Sequence, residues 1–266
     1  MKTTAHFKQL LLGLVVPTAV VVLWQVMGNM PGMAGILPTP LKVVEGWHGW
    51  IFGQAGLGLN PYLGTWLSNV EYSSMRVAQG FVLAALVGVP LGLLIGWSKF
   101  ISQMLDPLIQ SLRPIPITAW LPFSIAVFGI RDVGSIFLIF LGGFYAIVVN
   151  ATQGARDVDR NLVRAALMMG ASRTQLLYRV VLPAAMPSIF TGLRIGLGIS
   201  WTAVIVSEMV AVKSGLGYVL WDAYYVGRMD IVLADMVSIG AMGYISDRII
   251  VFIERKVLVW RILQSH

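Results

Sequence analysis

The sequence predicts an all-α protein built from about six membrane-spanning helices, and three observations carry that prediction. Of the 266 residues, 57% are hydrophobic and 12% charged, against roughly 45–50% and about 25% in soluble domains. A mean hydropathy of +0.79 leaves too few polar side chains to cover a water-facing surface of this size. Six stretches, near 10–28, 76–97, 107–130, 133–151, 188–211 and 231–253, approach the ~20 mainly apolar residues that a bilayer-crossing helix requires.

The first stretch follows Lys2 and Lys8 as a signal peptide would, but it runs on to Trp24 and Val26 without a small-residue cleavage site, which predicts an uncleaved anchor. Residues 29–75 then leave the membrane. Trp47, Trp50, Ile51 and Phe52 form an aromatic cluster suited to headgroup level. In the second stretch Gly88, Gly92 and Gly96 recur every fourth residue, and Gly192 and Gly196 do so in the fifth. Such spacing lets helix backbones approach closely where apolar side chains gain nothing by leaving lipid. The third stretch carries Pro107, Pro114, Pro116 and Pro122, each of which removes a helical hydrogen bond. Broken helices at membrane depth survive only against protein or a wet cavity. Residues 107–122, with Arg113, are therefore either the lining of a path or ordinary kinks.

Ionisable groups within the spans are costly and point to function by default. Arg113, Arg194, Glu208, Asp235 and Asp247 are the candidates, several of them near helix ends. Glu208, with Ser200 and Ser207 on the same span, is either part of a translocation gate or half of an ion pair that fixes packing.

The net charge of +7 reads as topology. With the N-terminus in the cytoplasm, the inner segments collect eleven basic residues: Lys2, Lys8, Lys99, Arg156, Arg160, Arg164, Arg173, Arg179, Arg255, Lys256 and Arg261. The outer segments collect five, Lys42, Arg76, Arg131, Lys213 and Arg228, so both termini are expected inside. Because these cations are dispersed between apolar runs, nucleic-acid binding is not expected. Zero cysteine removes disulfides, thiolate metal sites and cysteine nucleophiles, and the three histidines, His6, His48 and His266, lie outside the long apolar runs. The chain has no G-x-x-x-x-G-K-[ST] phosphate loop, so any ATP chemistry is expected in a partner.

Residues 152–187 stand apart. Leu162, Ala165, Ala166 and Met169 fall at helical spacing, and the pattern halts at Gly170, the residue type favoured just past a helix end. Ser172 followed by Gln175 makes a capping box for a second helix. Leu176, Leu177, Val180 and Val181 supply its apolar face, and Pro183 is expected to close it. Two apolar stripes in a solvated loop call for a cover.

The run Ala165-Ala166, Gly170-Ala171-Ser172 and Val181-Leu182-Pro183 with Pro187 resembles the EAA loop of binding-protein-dependent ABC importer permeases. Further matches are Leu37-Pro38-Thr39-Pro40, Ser74 with Arg76 and Gly80, Asp106-Pro107, Arg113-Pro114 with Pro116, Gly192-Leu193-Arg194, Trp201, Glu208-Met209 and Gly215-Leu216-Gly217-Tyr218. Over roughly residues 10–260 the chain resembles the nitrate/sulfonate/taurine branch.

The resemblance implies a type I ABC importer permease fold in a bacterial inner membrane. It divides the chain into an N-terminal helix (1–30), an external loop (31–75), a transmembrane core (76–254) with the cytoplasmic loop 152–187, and a cytoplasmic tail (255–266). It also implies a second permease copy, two cytoplasmic ATP-binding subunits that hold ATP and Mg, and an external solute-binding protein, with no cofactor in this chain and no catalysis of its own. Arg164, Ala165, Ala166, Met169, Gly170, Ala171, Ser172 and Gln175 would form the ATPase-coupling helix and turn. Arg113, Pro114, Pro116, Ser200, Ser207 and Glu208 would line the path. The family's leading glutamate falls at Arg164, which reverses the charge at the edge of the docking helix. A passive channel or secondary carrier would also have a polar-lined path but gives the 157–187 pattern no purpose. An intramembrane enzyme would have only carboxylates and hydroxyls to work with. The solute, expected to be a small anion such as nitrate, a sulfonate, taurine or bicarbonate, is not encoded in any residue pattern.

Overall fold

In the computed structural model the backbone is described for residues 2–33, 35–53 and 61–259, and side chains from residue 15 onward. The side chains of Lys2, His6 and Lys8, and residues Arg261 and His266, lie outside the described set. The elements are α1 (Lys2–Gly28), α2 (Pro40–Phe52), α3 (Trp66–Trp97), α4 (Lys99–Leu112), a 3₁₀ turn (Ile117–Trp120) leading into α5 (Leu121–Phe128), α6 (Asp132–Arg156), α7 (Arg160–Met168), α8 (Arg173–Leu176), a π turn (Leu177–Val181), α9 (Leu182–Ala211), α10 (Leu216–Tyr225) and α11 (Met229–Val257).

Four helical runs, Trp66–Trp97, Asp132–Arg156, Arg173–Ala211 and Met229–Val257, are each long and apolar enough to cross a bilayer. A fifth crossing would combine α4 with the 3₁₀ turn and α5, which meet at 92°. In α1 the described apolar part is Val15–Gly28. The stretch expected over 107–130 is thus not one helix. Pro107 sits within α4 and Pro122 in the first turn of α5, where a missing N–H costs nothing. The break falls at Arg113–Pro116, where two prolines in three residues disfavour helical conformation in the residues before them. The second stretch begins at Trp66 instead of 76, and 31–75 carries α2 as well.

Two compact units divide the chain, Met1–Asn69 with Val219–Ser238, and Val70–Tyr218 with Ile239–His266. In the first, the Trp24 indole donates to the Pro38 carbonyl at 2.9 Å, and the Tyr62 hydroxyl donates to Asp222 at 2.7 Å. Trp50 is fully buried, its indole donating to Thr65 Oγ1 at 3.2 Å. Of the cluster expected at headgroup level, only Phe52 is strongly exposed, and Trp50 belongs to the core.

The second unit is built around α6, whose backbone is approached from two sides by glycines. A Cβ on Gly92 would lie 2.6 Å from both the Ala151 Cβ and the Val148 carbonyl, and one on Gly96 would lie 2.5 Å from the Ala155 Cβ. Gly192 of α9 faces Asn150 in the same manner, and Gly196 faces the Gly143 carbonyl at 3.0 Å. The four-residue glycine spacing read from the sequence is therefore the contact stripe of α3 and α9 against α6. Below these contacts Leu93, Ala151, Ala155, Val181, Ala185 and Ile189 close one core, and Ile95, Ile109, Leu141, Tyr145 and Val148 another.

Candidate functional site

The segment after α6 folds from strictly local signals. The Asp159 carboxylate accepts from the Asn161 N–H at 2.8 Å and opens α7. At its end Gly170 takes φ +83°, the Gly170 N–H donates to the Leu167 carbonyl and the Ala171 N–H to the Ala166 carbonyl. That pair of bonds is a Schellman stop, which demands the left-handed conformation that glycine adopts without strain. Ser172 and Gln175 then exchange reciprocal bonds, Ser172 N–H to Gln175 Oε1 at 2.9 Å and Gln175 N–H to Ser172 Oγ at 3.3 Å, so the capping box is present. Pro183 does not close the second helix. The π turn carries the chain on, and Pro183 occupies the first turn of α9, so Arg173–Ala211 is one helical run.

Burial divides this hairpin into two faces. Ala166, Leu176 and Val181 are buried, Val181 within the core that it shares with Ala185 and Ile189. Leu162, Leu167, Met168 and Met169 point away from it, the two methionines 84% and 82% exposed. Arg164, Ala165, Gly170, Ser172 and Gln175 are exposed and Ala171 is half-buried. Of the four residues whose spacing announced the first helix, only Ala166 packs inward.

The residues assigned to a path separate into two groups. Arg113, Pro114 and Pro116 are exposed and line a cavity of about 320 Å³ with Tyr145, Asn150 and Ile195. Ser200, Ser207 and Glu208 are fully buried elsewhere. The Ser207 hydroxyl donates to the Val204 carbonyl of its own helix at 2.8 Å, and Ser200 donates to the Ile139 carbonyl of α6 at 3.4 Å.

Glu208 sits in a closed polar knot. Arg76 donates to it at 2.7 Å, the Ser73 hydroxyl reaches both its oxygens at 2.9 and 2.7 Å, and the Gly217 N–H donates at 2.9 Å. Arg76, only 5% exposed, also donates to Asp132 and to the carbonyl and hydroxyl of Ser214. Ser73 in turn accepts from the Leu216 N–H at 2.8 Å. Gly215 has φ +106° and a Cβ there would strike the Glu208 carboxylate, so the Gly215-Leu216-Gly217 turn exists to wrap this group. Ser73 and Arg76 were absent from the sequence-derived site, because Arg76 was counted as an external loop charge. Their spacing with Gly80 on one helical face was the available signal. A second cross-link pins α11 to α9: Arg194 bonds Asp247 at 2.8 Å, and the Trp201 indole donates to Ser246 at 2.9 Å. Among the described residues no group of three or more His, Asp or Glu side chains is placed to hold a metal ion.

Residues 88–259 match the family described as binding-protein-dependent transport system inner membrane component. A putative ABC transporter permease of Methanocaldococcus jannaschii is 40% identical over 255 residues, 96% of this chain and 93% of the relative. The nitrate import permease NrtB of Synechocystis is 36% identical over 89% of this chain and 85% of its own. The putative aliphatic sulfonates permease SsuC of Bacillus subtilis is 34% identical over 94% and 87%. Among solved structures, a chain of the MetNI methionine ABC transporter in an inward facing conformation superposes with a TM-score of 0.64 at 19% identity, covering 72% of this chain and 95% of that one. That likeness concerns the fold, the type I ABC importer fold.

Proposed function

We propose a division of labour for this chain, which belongs to the family of binding-protein-dependent transport system inner membrane components and is the multi-pass permease subunit of an ABC importer. Two copies form the pathway, two cytoplasmic ATP-binding subunits drive it, and an external binding protein delivers the solute. Both termini lie in the cytoplasm, which places the α7–α8 hairpin with the ATPase and residues 31–75 with the binding protein.

The observation that carries this reading is the outward apolar face of the hairpin. Leu162, Leu167 and Met168 are exposed on an element of only nine residues, with Met169 exposed at its C-cap, and the element is too short to enter lipid as a span. Methionine adapts to an irregular partner groove at little packing cost. The face ends on a Schellman turn that a capping box joins to the helical run Arg173–Ala211, so displacement of the turn passes into α9 and the membrane. Arg164 flanks it, and a complementary acidic residue on the ATPase would set the register. Binding and hydrolysis of ATP belong to that partner, which holds the nucleotide and its Mg.

The solute is a small anion, of the kind named for the relatives that import nitrate and sulfonates. The path runs past Arg113, Pro114 and Pro116 at the proline break, where an exposed guanidinium faces a cavity. The buried Ser200, Ser207 and Glu208 hold the walls of that path together and do not contact the solute.

Co-purification with a co-expressed ATP-binding subunit and uptake in proteoliposomes test the proposal. ATP-dependent accumulation that requires the binding protein is expected. Downhill equilibration by the permease alone, with no ATPase retained, would establish a passive channel instead.

A further inference from the structure

A cavity of about 660 Å³ is lined by Tyr72, Arg76, Arg131, Asp132, Lys213 and Ser214 with apolar neighbours. Three cations meet one carboxylate there. Asp132 is matched by Arg76 at 2.8 Å, and Arg76 is matched again by Glu208 behind it at 2.7 Å. Arg131 and Lys213 are exposed, and neither pairs with a carboxylate among the described residues. The fold makes no use of these two charges. They stand at the open side of a concavity whose inner wall sets one guanidinium against two carboxylates, and together the three cations outnumber the carboxylates, so the balance of charge is positive.

We propose that this cavity collects a small oxyanion, with the Arg131 guanidinium and the Lys213 ammonium as its binding groups. Guanidinium offers a planar fork that matches an oxyanion, and ammonium a compact point charge. The Ser214 hydroxyl accepts from Arg76 at 2.7 Å, which leaves its own proton free to donate into the cavity. Tyr72 forms an aromatic wall, the Arg76 guanidinium lying 5.8 Å from its ring centre. A cleft lined by one sign of charge focuses the field and raises the local concentration of counter-ions. The site lies apart from the Arg113 cavity, since the two share no lining residue. It rests on the anionic-solute reading and extends it with a collecting station: the anion pauses at Arg131 and Lys213 before it reaches the proline break.

The chain contains no cysteine, so a single introduced thiol reports on one place only. Val133 is 53% exposed in the cavity wall. With V133C in the full-length protein in nanodiscs, where both faces are open to reagent, an anionic methanethiosulfonate should react about tenfold faster relative to a cationic one than it does in the R131Q/K213Q background. Nitrate, used as the probe, should slow the anionic reagent in V133C and have no effect when both charges are removed. R131K/K213R should keep the preference. Equal rates for the two reagents, or labelling indifferent to nitrate, would overturn the site. In proteoliposomes carrying ATPase and binding protein, R131Q/K213Q should lower nitrate uptake about tenfold at low ionic strength. Because the labelling needs no partner, charge-selective labelling in a protein that imports no anion would leave the site standing and refute the assigned solute class.

Discussion

Arg76 and Glu208 show how much one pair of side chains settles. Both are buried, and removing one partner of a buried pair leaves an uncompensated charge, at a cost of about 3–5 kcal/mol. The two halves are not equivalent. Arg76 keeps Asp132 when Glu208 is neutralised, whereas Glu208 without Arg76 retains only the Ser73 hydroxyl and one backbone N–H. Arg76→Gln should therefore lower the thermal unfolding midpoint of the solubilised protein more than Glu208→Gln, and the double variant should lose less than the sum. Strict additivity would show that the pair does not act as a unit. At Gly170 the constraint is φ +83°, with open space where a Cβ would stand. A bulky residue there strains the turn by about 1–2 kcal/mol without steric clash. Membrane insertion should survive and ATP-driven uptake should be abolished; wild-type uptake in a Gly170→Val protein would defeat the coupling role of the hairpin. Arg164→Glu should weaken ATPase co-purification. The Gly170 turn was legible because every group that makes it lies within six residues. The Arg76–Glu208 pair was not, because its members are 132 residues apart and their meeting is a product of packing.

Helices in this protein are positioned by what they lack. Gly92 and Gly96 bring α3 against α6, and the nearest neighbours of an added Cβ include backbone carbonyls, Val148 and Thr152, that cannot rotate away. Gly198 and Gly240 meet nothing within 4 Å. Gly92→Ala should thus destabilise, whereas Gly198→Ala and Gly240→Ala should be neutral or stabilise by up to about 1 kcal/mol through helix propensity. Thermal melts of the three variants decide this, and equal effects would remove the close-approach argument. The glycine stripes were readable as spacing, but the identity of the helix they face was not. The proline-rich stretch announced a break, and only the fold shows that α4 runs on past Pro107 and that Pro122 opens α5, while Arg113–Pro116 turns the chain through 92°. Helices α2 and α10 escaped notice because their thirteen and ten residues sit between glycines and prolines, with no span-length apolar run to mark them.

At the scale of the whole molecule, the second arm of the hairpin that resembles the EAA loop and the Glu208 side chain belong to the same helical run, Arg173–Ala211. If the outward methionines are the ATPase contact, Met168→Asp with Met169→Asp should abolish ATPase retention while the thermal midpoint stays near wild type, since neither side chain packs against the core. A large drop in stability would mean that the face is packed, not free. The all-α membrane class followed from composition together with the span-length apolar runs, and the type I ABC importer fold from the family resemblance. The proposed orientation rests on charge, and the proposed partner on the exposed face of a locally capped hairpin. That Ser200 and Ser207 are buried while Arg113 is exposed was not legible in the sequence, because it depends on what surrounds each residue in the fold. The run Arg173–Ala211 also has mechanical gain. At ~1.5 Å per residue, Arg173 and Glu208 are roughly 50 Å apart along it, and a tilt of about 5° at one end sweeps the other through about 4 Å. That excursion exceeds the length of any hydrogen bond in the knot. Ser73 and Arg76 must therefore ride with the rod or release it, and a few degrees of tilt is enough to tell those outcomes apart.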